Sequence, residues 1–163
     1  ISKVPLFIHE QNAVMGKLNK ILKPYAKDFF SSYDEALPYP YPVAKKFFDS
    51  ARVREELKTI LFLGGSQGAK AINELAINLA PYLKEKGINI IHQCGKNGFD
   101  ELKKRYDELG FNETNLEIFE FSKEIENKMS KADLAISRAG ASSLWELCAN
   151  ALPSIFAISL CRW

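Results

Sequence analysis

From residue 59 onward, short apolar runs recur at 60–63, 88–91, 116–121, 134–136 and 154–158, and the stretches between them carry apolar residues at helical spacing. Ile72, Leu75, Leu79 and Leu83 form one such face, and Phe99, Leu102, Tyr106 and Leu109 form a second before Gly110. Met129 belongs to a third, shorter helix, and Leu144 and Leu147 to a fourth. Strands that alternate with helices require a parallel sheet, because a parallel pair can be joined only by a crossover. Such a sheet needs cover on both faces. The expected class is therefore α/β, doubly wound.

The chain upstream follows a looser version of the same pattern. Residues 4–8 suit a buried strand, 16–26 a helix with Leu18, Ile21, Leu22 and Tyr25 in register, and 28–33 a further strand. Pro38, Pro40 and Pro42 then alternate with Tyr39 and Tyr41, a stretch that neither a helix interior nor a central strand accepts. It reads as an interdomain linker, with a plain surface loop as the alternative. At the far end, residues 155–160 form a strand and Cys161, Arg162 and Trp163 follow without a covering helix, so the domain is expected to be truncated there.

Composition narrows the function classes. With 163 residues, 47% hydrophobic and 26% charged, the chain fits one ordinary domain, or one domain and part of another, with a real core. A net charge of +2 is too mild for the basic stripe of a nucleic-acid binder, so no nucleic-acid partner is expected. Cys94, Cys148 and Cys161 are odd in number and far apart, which suggests neither a disulfide framework nor a zinc site and fits a reducing cytosol. No apolar run approaches the ~20 residues of a membrane span, and the first residues read like the interior of a gene product rather than a signal peptide.

Three polar clusters stand at expected strand ends. Gly64-Gly65-Ser66-Gln67-Gly68 lies between a strand and a helix that begins near Ala69. Glycines there allow close backbone approach, and the helix N-terminus favours an anion; a tight turn without ligand is the alternative. The loop is neither a Walker A nor a GxGxxG sequence. Ser137-Arg138-Ala139-Gly140-Ala141-Ser142-Ser143 forms a second such turn, and loops at this edge of an open α/β sheet can face one ligand crevice. Arg138 suits a phosphate or a stacked base, or is an ordinary surface arginine. Ser143 and Glu146 have the S-x-x-E spacing of a capping box, while a carboxylate there can instead accept ribose hydroxyls. His9-Glu10-Gln11-Asn12 follows the first strand and can bind sugar hydroxyls or start a helix cap. His92 has no evident partner and is read as structural; Lys103-Lys104-Arg105 is read as a solvated helix face.

Taken in order, His9-Glu10-Gln11-Asn12, Gly64-Gly65-Ser66-Gln67-Gly68-Ala69 and Arg138-Ala139-Gly140-Ala141, followed by Glu146 and Leu152-Pro153, resemble the MurG family of UDP-N-acetylglucosamine transferases, within glycosyltransferase family 28. The resemblance implies a Rossmann-like sheet of the GT-B architecture and an inverting transfer from UDP-N-acetylglucosamine to lipid I, giving lipid II. It also implies an anionic membrane surface on the cytoplasmic face as partner, and no cofactor or metal.

For single residues it implies that Asn12 contacts the transferred sugar, that Ser66 approaches the phosphates, and that Arg138 lies near the nucleotide. Ala141, Ser142, Ser143, Leu144, Trp145 and Glu146 would bring a helix start to the pyrophosphate and a carboxylate to the ribose. Ser122 would meet uracil through its backbone. Residues 1–36 would end an acceptor-side domain, 37–50 would link, and 51–163 would form the truncated UDP-sugar domain.

Two departures stand out. Pro40-Tyr41-Pro42-Val43-Ala44 lacks the arginine of the family's segment, unless Lys45 or Lys46 replaces it. The family's glycine-rich loop with its proposed catalytic histidine, and its glutamine-bearing sugar loop, have no counterpart in this sequence, so no catalytic residue is expected within the chain and the fragment is expected to be inactive by itself. A UDP-N-acetylglucosamine 2-epimerase is the second enzyme reading, opposed by His9-Glu10-Gln11-Asn12, and a non-catalytic nucleotide-binding module is the third.

Overall fold

The computed structural model describes residues 4–33, 41–65 and 69–157. The chain divides into two compact units, Ile1–Val43 and Ala44–Trp163.

The first unit holds β1 (Phe7–Glu10), α1 (Lys17–Leu22) and β2 (Asp28–Ser31), with the strands parallel and Phe7 opposite Asp28. The first strand thus runs later than the apolar pattern at 4–8 suggests, and His9 and Glu10 lie within it rather than after it. Periodicity missed this because the Glu10 carboxylate is satisfied internally, so a charged residue occupies a buried strand position. α1 also ends early. A proline at position 24 clashes with the carbonyl four residues back in an α-helix, and Lys23–Tyr25 tightens into a 3₁₀ turn.

The second unit is a five-stranded parallel sheet in the order β5-β4-β3-β6-β7. Its elements are α2 (Lys45–Asp49), β3 (Thr59–Leu63), α3 (Lys70–Glu85), β4 (Asn89–Gln93), α4 (Phe99–Glu108), β5 (Leu116–Phe119), α5 (Ile125–Lys131), β6 (Leu134–Arg138), α6 (Ala141–Ala149) and β7 (Ser154–Ala157). The α/β class expected from the alternation is what the chain adopts. Ile60, Phe62 and Ile90 pack into one core with Ile72, Ala76 and Ala80 of α3 and Leu102 and Tyr106 of α4. Alanines at 76 and 80 sit deepest on α3, letting the helix approach the sheet, while Leu75 and Leu79 flank them partly exposed. Leu61 is fully buried as well, and α5 and α6 lie against β3 and β6.

Two polar networks fix this unit. Arg54 donates to the carbonyls of Met129, Ala132 and Asn150 and to Asn150 Oδ1, so its guanidinium closes the turns after α5 and α6. Asn150 Nδ2 in turn donates to Phe47 O at 3.3 Å and Ser50 Oγ at 2.9 Å, which binds α2 to the end of α6. Within the span 37–50 read as a linker, residues 45–49 are therefore helical and packed into the second unit; residues 34–40 lie outside the described part.

His92, read as lacking a partner, has two: Tyr106 Oη at 3.0 Å from Nδ1 and Asn73 Oδ1 at 3.1 Å from Nε2. Its structural assignment stands on those bonds. Arg105 is not merely solvated either; it grips Glu74 of α3 with both terminal nitrogens, at 2.7 and 3.0 Å. No helix among the described residues is long and apolar enough to cross a membrane.

Candidate functional site

The strand order reverses between β3 and β6, and in open α/β sheets ligands bind outside the carboxyl ends of the strands at that reversal. A cleft of about 630 Å³ opens there, a volume in the usual range for small-ligand pockets. Leu63 at the end of β3 and Gly65 just after it bound it, with Gln93 at the end of β4, Phe121 and Ser122 after β5, and Ser142, Ser143 and Glu146 on α6.

The turn after β3 requires its glycines. A Cβ on Gly64 would stand 2.8 Å from Gln93 O and 3.1 Å from Ala69 N, both backbone atoms that cannot yield, and Gly65 has φ of 77°. The Gly64 N–H donates to Gln93 O at 3.0 Å, so the turn is pinned to β4. Ser66, with positions 67 and 68, lies outside the described residues.

The turn after β6 removes one of the two readings of Glu146. α6 starts at Ala141 with Gly140 as N-cap and no side-chain cap, so Ser143 is the third helical residue and not a cap. A capping box between Ser143 and Glu146 does not form. Glu146 instead faces the cleft, half-buried; burial raises its pKa, with Lys46 opposing that rise and Glu126 adding to it. Ser142 and Ser143 put the first turn of α6 at the cleft, where the positive end of the helix dipole favours an anion.

Other expected site residues fall differently. Ser122 lines the cleft, and its Oγ accepts the Glu124 N–H at 3.1 Å, which bends the chain into α5. Arg138 is the last residue of β6, exposed, and outside the cleft's lining. Ala141, Leu144 and Trp145 belong to α6 without lining the cleft. Phe121 and Lys46 are among the further residues that line it. Phe121, read as the end of a strand, lies beyond the last strand residue, Phe119, and is 57% exposed. Lys46 lies on α2, with Nζ 2.8 Å from Glu126 Oε2 and 3.0 Å from Lys123 O. Lys45 pairs outward with Asp49 at 3.7 Å.

Asn12 belongs to the first unit, where Glu10 organises its loop. Glu10 Oε1 accepts the Asn12 backbone N–H at 2.9 Å and Asn12 Nδ2 at 3.0 Å; Oε2 accepts the Gly16 N–H and Asn19 Nδ2, both at 2.9 Å. Burial acts to raise the Glu10 pKa, but these four bonds outweigh it and hold the group at about 2. With Nδ2 committed to Glu10, Asn12 presents Oδ1 as the atom that can accept a hydroxyl.

Residues 59–160 match the family model described as the glycosyltransferase family 28 C-terminal domain. A protein of Campylobacter jejuni (strain 81-176) named UDP-N-acetylglucosamine--N-acetylmuramyl-(pentapeptide) pyrophosphoryl-undecaprenol N-acetylglucosamine transferase is 62% identical over 155 residues, which is 95% of this chain and 44% of the relative. The protein of the same name from Sulfurimonas denitrificans is 58% identical over 154 residues, 94% of this chain and 44% of the relative. The crystal structure of Acinetobacter baumannii MurG superposes with a TM-score of 0.66 at 30% identity, covering 98% of this chain and 47% of that one. The chain thus spans less than half the length of these relatives. A family match across the whole five-stranded sheet, on the fold that forms the cleft, means that the chain belongs to glycosyltransferase family 28.

Proposed function

We propose that the intact protein carrying this chain transfers N-acetylglucosamine from UDP-N-acetylglucosamine to lipid I, with inversion at the anomeric carbon, to give lipid II. The observation that carries this is the cleft at the β3–β6 reversal, where a helix start, a glycine turn, an exposed aromatic ring and a half-buried carboxylate converge. Those are the groups a nucleoside diphosphate needs. The names and identities of the relatives support the same donor and acceptor.

In this reading Glu146 accepts the ribose hydroxyls, and the first turn of α6, from Ala141 through Leu144 and Trp145, brings the Ser142 and Ser143 peptides to the pyrophosphate. Ser122 meets uracil through its backbone, and Phe121 offers the base a stacking face. Ser66 approaches the phosphates, Arg138 lies near the nucleotide, and Asn12 contacts the sugar. As an acceptor hydroxyl attacks the anomeric carbon, charge grows on the departing UDP. Fixed N–H groups and the α6 dipole stabilise that charge without reorganising. The general base that takes the hydroxyl proton comes from outside this chain. Residues 1–36 end the acceptor-side domain, 37–50 lead into the donor domain, whose cleft the α2 residue Lys46 joins, and 51–163 form the rest of that domain. The protein works at the cytoplasmic face of the membrane, against its anionic surface.

The test is a titration of the intact protein with UDP and UDP-N-acetylglucosamine, alongside an assay of lipid II formation. Glu146→Ala is expected to weaken UDP about tenfold or more, since hydrogen bonds to a charged group are worth ~1.5–3 kcal/mol. Ser66→Ala and Arg138→Ala should weaken it less. Equal affinity in the wild type and all three variants would refute the site.

A further inference from the structure

We propose that the Lys46–Glu126 ion pair sets the ionisation of Glu146, so that these two residues act as positioning residues that fix the pH range in which the cleft takes a ribose. This rests on the donor reading above and deepens it.

Glu126 is nearly buried on α5, 9% exposed, and its Oε2 faces the Lys46 ammonium at 2.8 Å. The same ammonium donates to Lys123 O at 3.0 Å, so it is held between the start of α5 and the cleft. Lys46 and Glu146 both line that cleft. Their elements do not drift apart, because Asn150, at the end of the helix that carries Glu146, hydrogen-bonds Phe47 O and Ser50 Oγ around α2. Among the described residues, the charged groups that act on Glu146 are Lys46 of α2, which lines the same cleft, and Glu126 of α5, which pairs with Lys46 outside the lining; Lys123, on the loop before α5, also lines the space.

Two carboxylates that act on each other through a partly dry region repel, and one of them takes up a proton more readily unless a cation is present. Lys46 supplies that cation. It acts against the burial that raises Glu146, while Glu126, its partner, adds to that rise. An ionised Glu146 offers two acceptor oxygens to a ribose diol, whereas a protonated one has a hydroxyl in place of an acceptor. Without Lys46, ribose binding should fail from the acid side at a higher pH than in the wild type.

Two measurements on the intact protein separate the charge effect from the donor reading. In nucleotide-free protein labelled with ¹³C-glutamate, the carboxyl titration of Glu146 is followed by NMR, its signal identified by its loss in Glu146→Gln. Lys46→Met should raise the midpoint, Lys46→Arg should hold it near the wild type, and Lys46→Met with Glu126→Gln should bring it back down. In UDP titrations across the same pH range, Lys46→Met should lose tenfold or more in affinity below its raised midpoint and regain most of it above, and the double variant should recover. An unchanged Glu146 midpoint in Lys46→Met, or a double variant that behaves as Lys46→Met does, overturns the proposal. A wild type that ignores UDP at every pH overturns the donor reading instead, and is recognised as such because the NMR midpoints are read without nucleotide.

Discussion

His92 lies fully buried on β4 with both ring nitrogens engaged, and the direction of each bond follows from its neighbours. Asn73 Nδ2 donates to Cys94 O at 3.1 Å, so Asn73 Oδ1 accepts and His92 must donate from Nε2. Tyr106 then donates its hydroxyl to Nδ1. The site is built for a neutral imidazole, and burial pushes the pKa from 6.5 down to about 4. The folded value is depressed, so the contribution is complete above the unfolded pKa of 6.5 and is lost as the pH falls toward 4. One pKa unit corresponds to ~1.4 kcal/mol, which makes the acid-linked loss about 3 kcal/mol across that window. His92→Gln keeps a donor near Asn73 and cannot titrate. It should cost about 1–3 kcal/mol at neutral pH, because the Tyr106 hydroxyl loses its acceptor. Urea denaturation at about pH 7, 5.5 and 4.5 measures both effects. Glu74, Glu126 and Asp133, whose pKa values are lowered, also lose stability in acid, but they are common to both proteins and cancel in the difference. The wild type should fall faster than the variant between about pH 6.5 and 4; parallel decline would refute the assignment of the loss to the buried ring.

Gly64→Ala places a Cβ 2.8 Å from Gln93 O, and with backbone on both sides it should destabilise the second unit by about 1–3 kcal/mol and cut UDP affinity at least tenfold. A variant with unaltered melting and binding would show that the turn has slack. Phe121→Ala removes a ring that is 57% exposed, so stability should stay within about 0.5 kcal/mol while UDP affinity drops roughly 5- to 150-fold by the worth of one stacked base. Retained affinity would exclude the ring as a base platform.

The sheet was legible in the sequence because β-α alternation leaves a period that burial on both faces makes continuous, and all five strands of the second unit fall on the apolar runs. Their ends were not legible. Ser137 is a buried polar strand residue whose Oγ donates to Arg138 O, and Gln93 ends β4 buried at the cleft; pattern reading stops at the last apolar residue and so places both in turns. The same blindness ends the expected first strand at residue 8, although Glu10 belongs to β1, buried and satisfied by four bonds. The S-x-x-E spacing leaves two readings open for a different reason. A capping box demands that the serine precede the helix, and α6 begins two residues earlier at Ala141 because Gly140 supplies the extended residue there.

Lys46, one of the cations of the cleft, shows how far a motif can specify a charge. An arginine that ends a strand at the ligand edge is the natural candidate, yet Arg138 is exposed and outside the lining, while Lys46 is inside it. α2 has only 5 residues, too few to display a helical period, and its placement comes from Asn150 and the packing of Phe47, 4% exposed, in the second unit. None of those partners is near in sequence. The charge state of Glu146 therefore depends on contacts among α2, α5 and α6 that no local spacing encodes. A substitution at Asn150 that loosens α2 should shift the Glu146 titration in the same direction as removing Lys46. For that reason the ionisation of this carboxylate, read by NMR in an Asn150→Ala variant, tests the packing of the unit as directly as it tests the electrostatics of the site.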